Sequence, residues 1–151
     1  MRLPRDLREF IELLNSGSVE YAIVGGWALA FHGRPRYTQD IDILIRSSPR
    51  NAMRLMIAID RFGFGSLGLA ANDFLTAGQV IQLGQPPSRI DLLTSLTGVS
   101  PEEVWPSIEP GELDGLPVFF LGRDALIKNK KATDRPRDRA DVEELCGDTN
   151  C

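Results

Sequence analysis

The sequence predicts a mixed α/β fold (α+β class) in which helices pack on one mixed sheet within a single domain. Three observations support this prediction. Strand-like segments and helical patterns interleave along the chain without a strict βαβ order. The 151 residues suffice for one sizeable core and are too few for two large domains. Hydrophobic residues make up 42% and charged residues 25% of the chain, which excludes a disordered or collagen-like protein.

Helices are predicted where apolar residues recur at helical spacing between capping and breaking residues. Ser48 is an N-cap candidate for the third of them, and Ser100-Pro101 is a helix start for the fifth. Asp134-Arg135-Pro136 separates the last two. The predicted helices cover residues 6–15, 27–32, 49–61, 70–77, 101–105, 124–131 and 137–146.

Strands are predicted from short apolar runs and from alternation with period two. Residues 39–45 alternate without a break, so that Ile41 and Ile43 lie on one face and Asp40 and Asp42 on the other. The Asp114-Gly115 pair between apolar flanks predicts a hairpin turn. The predicted strands cover residues 21–24, 39–45, 79–83 and 89–93, with the hairpin in 112–120.

Charge, apolar runs and cysteines exclude several classes. The net charge of −4 and pI of about 5.0 argue against a protein that coats nucleic acid through its overall charge. Apolar runs fall short of the ~18 residues of a membrane span, and the charged N-terminus is not a signal peptide. We therefore expect a cytoplasmic protein that does not enter a membrane, in which Cys146 and Cys151 are free thiols.

The acidic residues carry the first indication of chemistry. Asp40 and Asp42 project from the same strand face about 7 Å apart, where a divalent cation would offset their repulsion. The alternative is the solvated polar face of an edge strand. Asp91 interrupts an otherwise apolar strand and needs a partner there. Two metal ions held by these three acids would form the arrangement used for in-line phosphoryl or nucleotidyl transfer.

Gly25-Gly26 stands where a strand turns into a helix. Glycines at such a turn let the backbone approach a phosphate, and the helix N-terminus offers free N–H groups. The alternative is simply a tight turn. Taken alone, this pair of residues is weak support for a phosphate site, and its closeness to Asp40, from which thirteen residues separate Gly26, is what makes it informative.

Residues 24–45, together with segments 80–84, 89–93, 126–131 and 135–141, resemble the DNA-polymerase-β-like nucleotidyltransferase superfamily. More narrowly, they resemble the small prokaryotic branch near the AbiEii-type toxin nucleotidyltransferases. The resemblance spans about residues 20–145 and implies a palm-like mixed sheet. It implies Asp40 and Asp42 as ligands of both metals, Asp91 as the third carboxylate, and Gly25 and Gly26 beside the triphosphate. The superfamily usually has Ser after the glycine, where this chain has Trp27.

Basic residues supply candidates for an anion site. Residues 122–139 carry seven basic and three acidic side chains in an otherwise acidic chain. The resemblance points to Lys130 as a triphosphate or RNA contact, although it could instead pair with Asp138. Arg36 and Thr38 could contact phosphate or merely cap the strand. His32, the only histidine, is expected to bond a backbone carbonyl rather than act in catalysis.

The sequence therefore predicts an enzyme, a nucleotidyltransferase that moves an NMP from an NTP to a hydroxyl with two Mg²⁺ or Mn²⁺ ions. Asp40, Asp42 and Asp91 are the predicted metal ligands and catalytic residues. The acceptor could be RNA such as a tRNA end, a protein, or a small molecule. The alternative is a non-catalytic member that binds a nucleotide or a partner, for instance one component of a toxin–antitoxin pair.

Overall fold

The computed structural model describes residues 3–33, 40–64, 67–84, 88–147 and 151. Its helices are α1 Arg5–Ser16, α2 Gly25–His32, α3 Pro49–Ile59, α4 Pro101–Ser107, α5 Arg123–Thr133 and α6 Pro136–Cys146. Its strands are β1 Tyr21–Val24, β2 Ile41–Ile45, β3 Val80–Leu83, β4 Ile90–Leu93, β5 Glu109–Leu113 and β6 Leu116–Phe120. None of the helices in these ranges has the length and apolar character needed to cross a bilayer.

The strands form one six-stranded mixed sheet in the order β3-β4-β2-β1-β6-β5. Strand β2 lies inside the sheet, antiparallel to β1 and parallel to β4. Strands β5 and β6 form the predicted hairpin, and both Asp114 and Gly115 take the positive φ that its tight turn requires. The predicted mixed sheet flanked by helices is thereby confirmed.

The helices form layers on the sheet. Helices α2, α5 and α6 contact one another. Residues of all three helices line one cavity together with Asp42 and Asp91. The isoleucines of β2 are fully buried on the other face, as its alternation predicts. Helices α1 and α3 pack against each other and contribute Leu7, Phe10 and Leu55 to the core. One buried core thus supports a polar site on one side of β2.

Several details differ from the sequence-based expectations. Strand β2 is an interior strand, not an edge strand, because it pairs with the preceding strand β1 on one side and with the distant strand β4 on the other. Helix α2 begins at Gly25, so the glycine pair belongs to its first turn. The helix expected over 70–77 is only a 3₁₀ turn, Ala71–Phe74, anchored by the buried Phe74. Helix α3 ends at Ile59 and runs into a π-helical turn, Asp60–Phe64.

The cysteine expectation is wrong in the structure. Cys146 and Cys151 are joined in a disulfide, with Cα atoms 5.9 Å apart. Directly after Cys146, Gly147 ends α6 with a positive φ of +58°, a conformation that favours glycine. A separation of five positions therefore suffices to bring two sulfur atoms together, although the sequence contains no CxxC motif.

Candidate active site

Asp42 and Asp91 are direct neighbours in the sheet. They are register partners on the parallel strands β2 and β4, so their side chains leave the same face of the sheet side by side. Burial raises the pKa of Asp42 to about 6, and the nearby charge of Asp91 and a hydrogen bond between the two carboxyl groups act in the same direction. Asp42 therefore holds a proton to a higher pH than an ordinary aspartate does.

Arg89 connects the third acid to this pair. Its guanidinium grips Asp91 with two N–H groups, with Nε 3.0 Å from Oδ1 and Nη2 3.2 Å from Oδ2. The same Nη2 lies 3.3 Å from Oδ2 of Asp40. These acids raise the pKa of Arg89 further, chiefly through the hydrogen bond and charge of Asp91. The structure thus gathers Asp40, Asp42 and Asp91 into one acidic cluster with Arg89 at its centre.

Gly25 is required by the close approach of Asp42. Its φ of +64° is a left-handed conformation that favours glycine, and a Cβ built on it would lie 2.2 Å from Oδ2 of Asp42. The sequence suggested a phosphate contact as the reason for this glycine, but a carboxylate already explains it. The consequence is that the N-terminus of α2 lies directly beside the acidic cluster.

The first turn of α2 has no side-chain cap, because its N-cap residue is Val24. Val24 and Gly25 line the same cavity as Asp42, and Gly26 follows in the first turn of the helix. Backbone N–H groups at such a helix start are natural donors to an anionic ligand. A helix start and a carboxylate cluster therefore stand together in one cavity.

Trp27 has a different role from the serine that its position usually holds in the resembling superfamily. Its side chain is buried, and its indole Nε1–H donates to the backbone carbonyl of Asp40 at 3.1 Å. The indole thereby fixes the start of β2, where the acidic motif begins. A side chain that could not serve as a phosphate-binding hydroxyl instead holds one of the candidate metal ligands in place.

The cavity over the acidic cluster has a volume of about 320 Å³. Its other side is formed by α5 and α6, whose polar side chains face Asp42 and Asp91 across it. The polar residues of these helices and of their junction that line the cavity are Asn129, Lys130, Thr133, Arg135 and Asp138. The predicted basic segment therefore meets Asp42 and Asp91, two of the three predicted acids, in one cavity.

Lys130 lies in that wall, but acidic side chains already bind its ammonium group. Its Nζ lies 2.8 Å from Oδ2 of Asp141 and 3.8 Å from Oδ1 of Asp138. Asp138 also accepts hydrogen bonds from Arg135 and Thr133, which hold the pKa of its carboxyl well below the usual range. The pairing with Asp138 that the sequence left open is thus present, with Asp141 as the nearer partner.

Arg89 and Asp141 belong to the site although no role was predicted for them from the sequence. A signal existed for each: Arg89 stands two residues before Asp91 on the same strand face, and Asp141 stands one helical turn after Asp138. His32 is placed as expected, since its Nε2 lies 2.7 Å from the carbonyl oxygen of Leu121. Arg36 and Thr38, both predicted to be near phosphate, lie outside the described residues.

The chemistry of the donor set fits a hard divalent cation. Three carboxylates on neighbouring strands offer the oxygen ligands that Mg²⁺ prefers. Within the ranges that the structure describes, however, no three metal-ligating side chains are arranged as a group around an ion position. The guanidinium of Arg89 contacts both Asp40 and Asp91.

Solved structures share this fold. The lincosamide antibiotic adenylyltransferase LnuA, with lincomycin bound, is 11% identical over 98% of this chain and 99% of its own, with a TM-score of 0.59. ANT(2")-Ia, in complex with adenylyl-2"-tobramycin, is 16% identical over 93% of this chain and 85% of its own, with a TM-score of 0.57. An antigenic nucleotidyltransferase-like protein from Paracoccidioides brasiliensis is 15% identical over 96% and 76%, with a TM-score of 0.54. No family model and no curated protein sequence matches this chain.

Proposed function

We propose that this protein is a metal-dependent nucleotidyltransferase that transfers an NMP from an NTP to a hydroxyl group and releases pyrophosphate. One observation carries the proposal: Asp42 and Asp91 stand side by side on adjacent strands, directly beside the uncapped N-terminus of α2. Carboxylates for a cation and free N–H groups for phosphates are the two requirements of such a reaction. The fold shared with nucleotidyltransferases supports the same reading.

Each group has a role that follows from its position. Asp40, Asp42 and Asp91 would hold Mg²⁺ or Mn²⁺, two ions with NTP bound, which supply charge neutralisation at the phosphates and activation of the acceptor hydroxyl. The N–H groups of Gly25 and Gly26 would bind phosphate oxygens. Asp91 would accept the proton of the acceptor hydroxyl, and the cavity wall formed by α5 and α6 would limit the access of water.

Lys130 is proposed as an indirect contributor to nucleotide binding. Its ammonium is paired with Asp141, so it stabilises the cavity wall that faces Asp42 and Asp91. Arg36 and Thr38 remain candidates for phosphate contact. The acceptor is proposed to be a small molecule, RNA such as a tRNA end, or a protein, and the proteins of the same fold act on antibiotics, as LnuA and ANT(2")-Ia do. A cytoplasmic location and a toxin or antitoxin partner belong to the same proposal.

The test is transfer of label from α-³²P-labelled NTPs in the presence of Mg²⁺ to tRNA, to protein and to hydroxylated small molecules. Asp42→Asn keeps the shape of the side chain and removes its charge. We expect it to abolish transfer while its metal-free fold stays as stable as that of the wild type or more so. The wild type should gain thermal stability from Mg²⁺ with NTP, and the variant should not.

The two readings of the sequence give different results in this experiment. Wild-type protein that gains stability from Mg²⁺ and NTP but labels no acceptor would indicate the non-catalytic, nucleotide-binding alternative. Wild-type protein that gains no stability from Mg²⁺ and NTP would contradict both the catalytic and the non-catalytic nucleotide-binding function. The acidic cluster would then be a surface for a partner.

A further inference from the structure

The centre of the acidic cluster is occupied by a cation that belongs to the chain itself. The Arg89 guanidinium donates to both oxygens of Asp91 and reaches Asp40 through the same Nη2. Asp42 is hydrogen-bonded to Asp91 from the other side. Arg89 therefore touches two of the three carboxylates that the proposed function assigns to metal ions.

Arg89 supplies positive charge to two of the three carboxylates. Its guanidinium nitrogens lie 3.3 Å from an oxygen of Asp40 and 3.0 Å from an oxygen of Asp91, where the positive charge offsets the repulsion between the two acids. A divalent cation held by the same carboxylates would have to compete with this guanidinium.

The Arg89 side chain can leave without disturbing the sheet. Its backbone is fixed independently, because the carbonyl of Arg89 accepts a hydrogen bond from the N–H of Ile41 at 3.0 Å. Its side chain is 32% exposed, so the guanidinium can rotate into solvent and be hydrated there. The Asp91 side chain, at 13% exposure, has no comparable freedom.

We propose that Arg89 is a built-in competitor of the divalent cation: its guanidinium holds Asp40 and Asp91 together in the metal-free protein, and ion binding displaces it. This proposal rests on the proposed function, since it assumes that these carboxylates bind metal. It adds a consequence for regulation. The site binds an ion only at concentrations that overcome the internal ion pair, and the displaced guanidinium becomes free to contact an anionic substrate.

The experiment measures Mn²⁺ affinity by calorimetric titration of the wild type, Arg89→Met, Lys128→Met and Asp42→Asn. We expect Arg89→Met to bind Mn²⁺ about fivefold more tightly than the wild type, the factor expected for loss of one partly exposed ion pair. Lys128→Met is the matched control, because it also removes one positive charge. Lys128 lies on α5, where it pairs with Glu103 and touches none of the three acids. It should bind Mn²⁺ as the wild type does.

Equal or weaker binding by Arg89→Met would overturn the proposal, and so would an equal gain in Lys128→Met, which would indicate a general charge effect. Absence of Mn²⁺ binding in the wild type, or undiminished binding in Asp42→Asn, would overturn the proposed metal site and with it this inference. If Arg89→Met does not fold, Arg89→Lys replaces it. A lysine keeps the charge but cannot grip Asp91 with two N–H groups, and we expect it to bind Mn²⁺ about twofold more tightly.

A second readout follows the displacement itself. The Nε–H of Arg89 gives a ¹H–¹⁵N signal that can be assigned by its loss in Arg89→Lys. We expect saturating Mg²⁺ to move this signal towards the position of a solvent-exposed arginine. A signal that stays unchanged while Mg²⁺ is bound would overturn the proposal.

Discussion

Asp42 shows how the fold prepares a single residue for a cation. It is packed against Gly25, hydrogen-bonded to Asp91 and mostly removed from water. Burial and the neighbouring Asp91 disfavour its charged form in the metal-free protein and raise its pKa to about 6. A cation beside this carboxyl would favour the charged form instead.

The raised pKa of Asp42 predicts the pH dependence of stability. Because the folded-state pKa, about 6, lies above the ordinary value of 3.8, the folded protein holds the proton more tightly than the unfolded chain. The metal-free protein should therefore lose stability as pH rises from about 4 to about 6, by at most about 3 kcal/mol, and then change no further from this group. Urea unfolding in EDTA across this range measures the effect.

Asp42→Asn is the control for this experiment. The variant cannot titrate at this position, so the loss between pH 4 and 6 should be absent from it, and at pH 7 it should be at least as stable as the wild type. Parallel curves for the two proteins over this range would show that Asp42 is ionised in the folded protein with an ordinary pKa.

Helices α5 and α6 act as one element through their charged junction. Lys130 from α5 is buried against Asp138 and Asp141 of α6, while Arg135 at the junction covers Asp138 from the solvent side. Two buried carboxylates in α6 need this cation, because an uncompensated charge away from water is costly. The basic segment seen in the sequence thus serves the packing of two helices as well as the potential of the cavity.

This arrangement predicts a large stability loss for Lys130→Met. The variant leaves Asp138 and Asp141 buried without the ammonium, and we expect the free energy of unfolding at pH 7 to fall by about 3 kcal/mol. Lys128→Met, which removes an exposed pair with Glu103 two residues away, should cost less than about 1 kcal/mol. Chemical denaturation of the three proteins gives both values.

The same variants separate a structural from a ligand-binding role of Lys130. If Lys130 contacts the triphosphate directly, Lys130→Met should keep most of its stability and lose NTP affinity with a weaker salt dependence. A loss of stability comparable to that of Lys128→Met would contradict the buried ion-pair network.

At the scale of the whole molecule, local patterns in the sequence predicted most elements and the composition of the acidic cluster. Alternation in β2 places Asp42 on the polar face, and an apolar strand interrupted by Asp91 marks the second acid. The Asp-Gly turn predicted its hairpin because the two positive φ angles are a local requirement. Each of these patterns depends only on residues that are close in the sequence, and the structure contains the element that each pattern predicts.

What the sequence could not predict depends on contacts between distant segments. The interior position of β2 follows from pairing with β4, some 50 residues later. Glycine is needed at position 25 because the side chain of Asp42 approaches it closely. Trp27 has its role because its indole N–H donates to the backbone carbonyl of Asp40. The ion pair between Arg89 and Asp40 likewise depends on how β2 and β4 are aligned, which no local pattern encodes.

The disulfide allows a prediction for the whole chain. Protein purified without reductant should contain no thiol that reacts with Ellman's reagent, because Cys146 and Cys151 are paired. Reduction should lower the free energy of unfolding by about 2 kcal/mol or less, since the loop that the bond closes is short. The fold and the acidic cluster should survive reduction, because Arg123 also holds the end of α6 through the carbonyl of Leu145 at 2.6 Å.

The double variant Cys146→Ser, Cys151→Ser is the control for that measurement. Its stability should match that of the reduced wild type and should not respond to reductant, because the only cross-link has been removed. Two reactive thiols in the wild type under the same conditions would contradict the paired state and restore the expectation of free thiols in a reducing compartment. Helix α6 carries Asp138 and Asp141 and ends at Cys146. The decrease in the free energy of unfolding on reduction therefore measures how much the disulfide stabilises this helix.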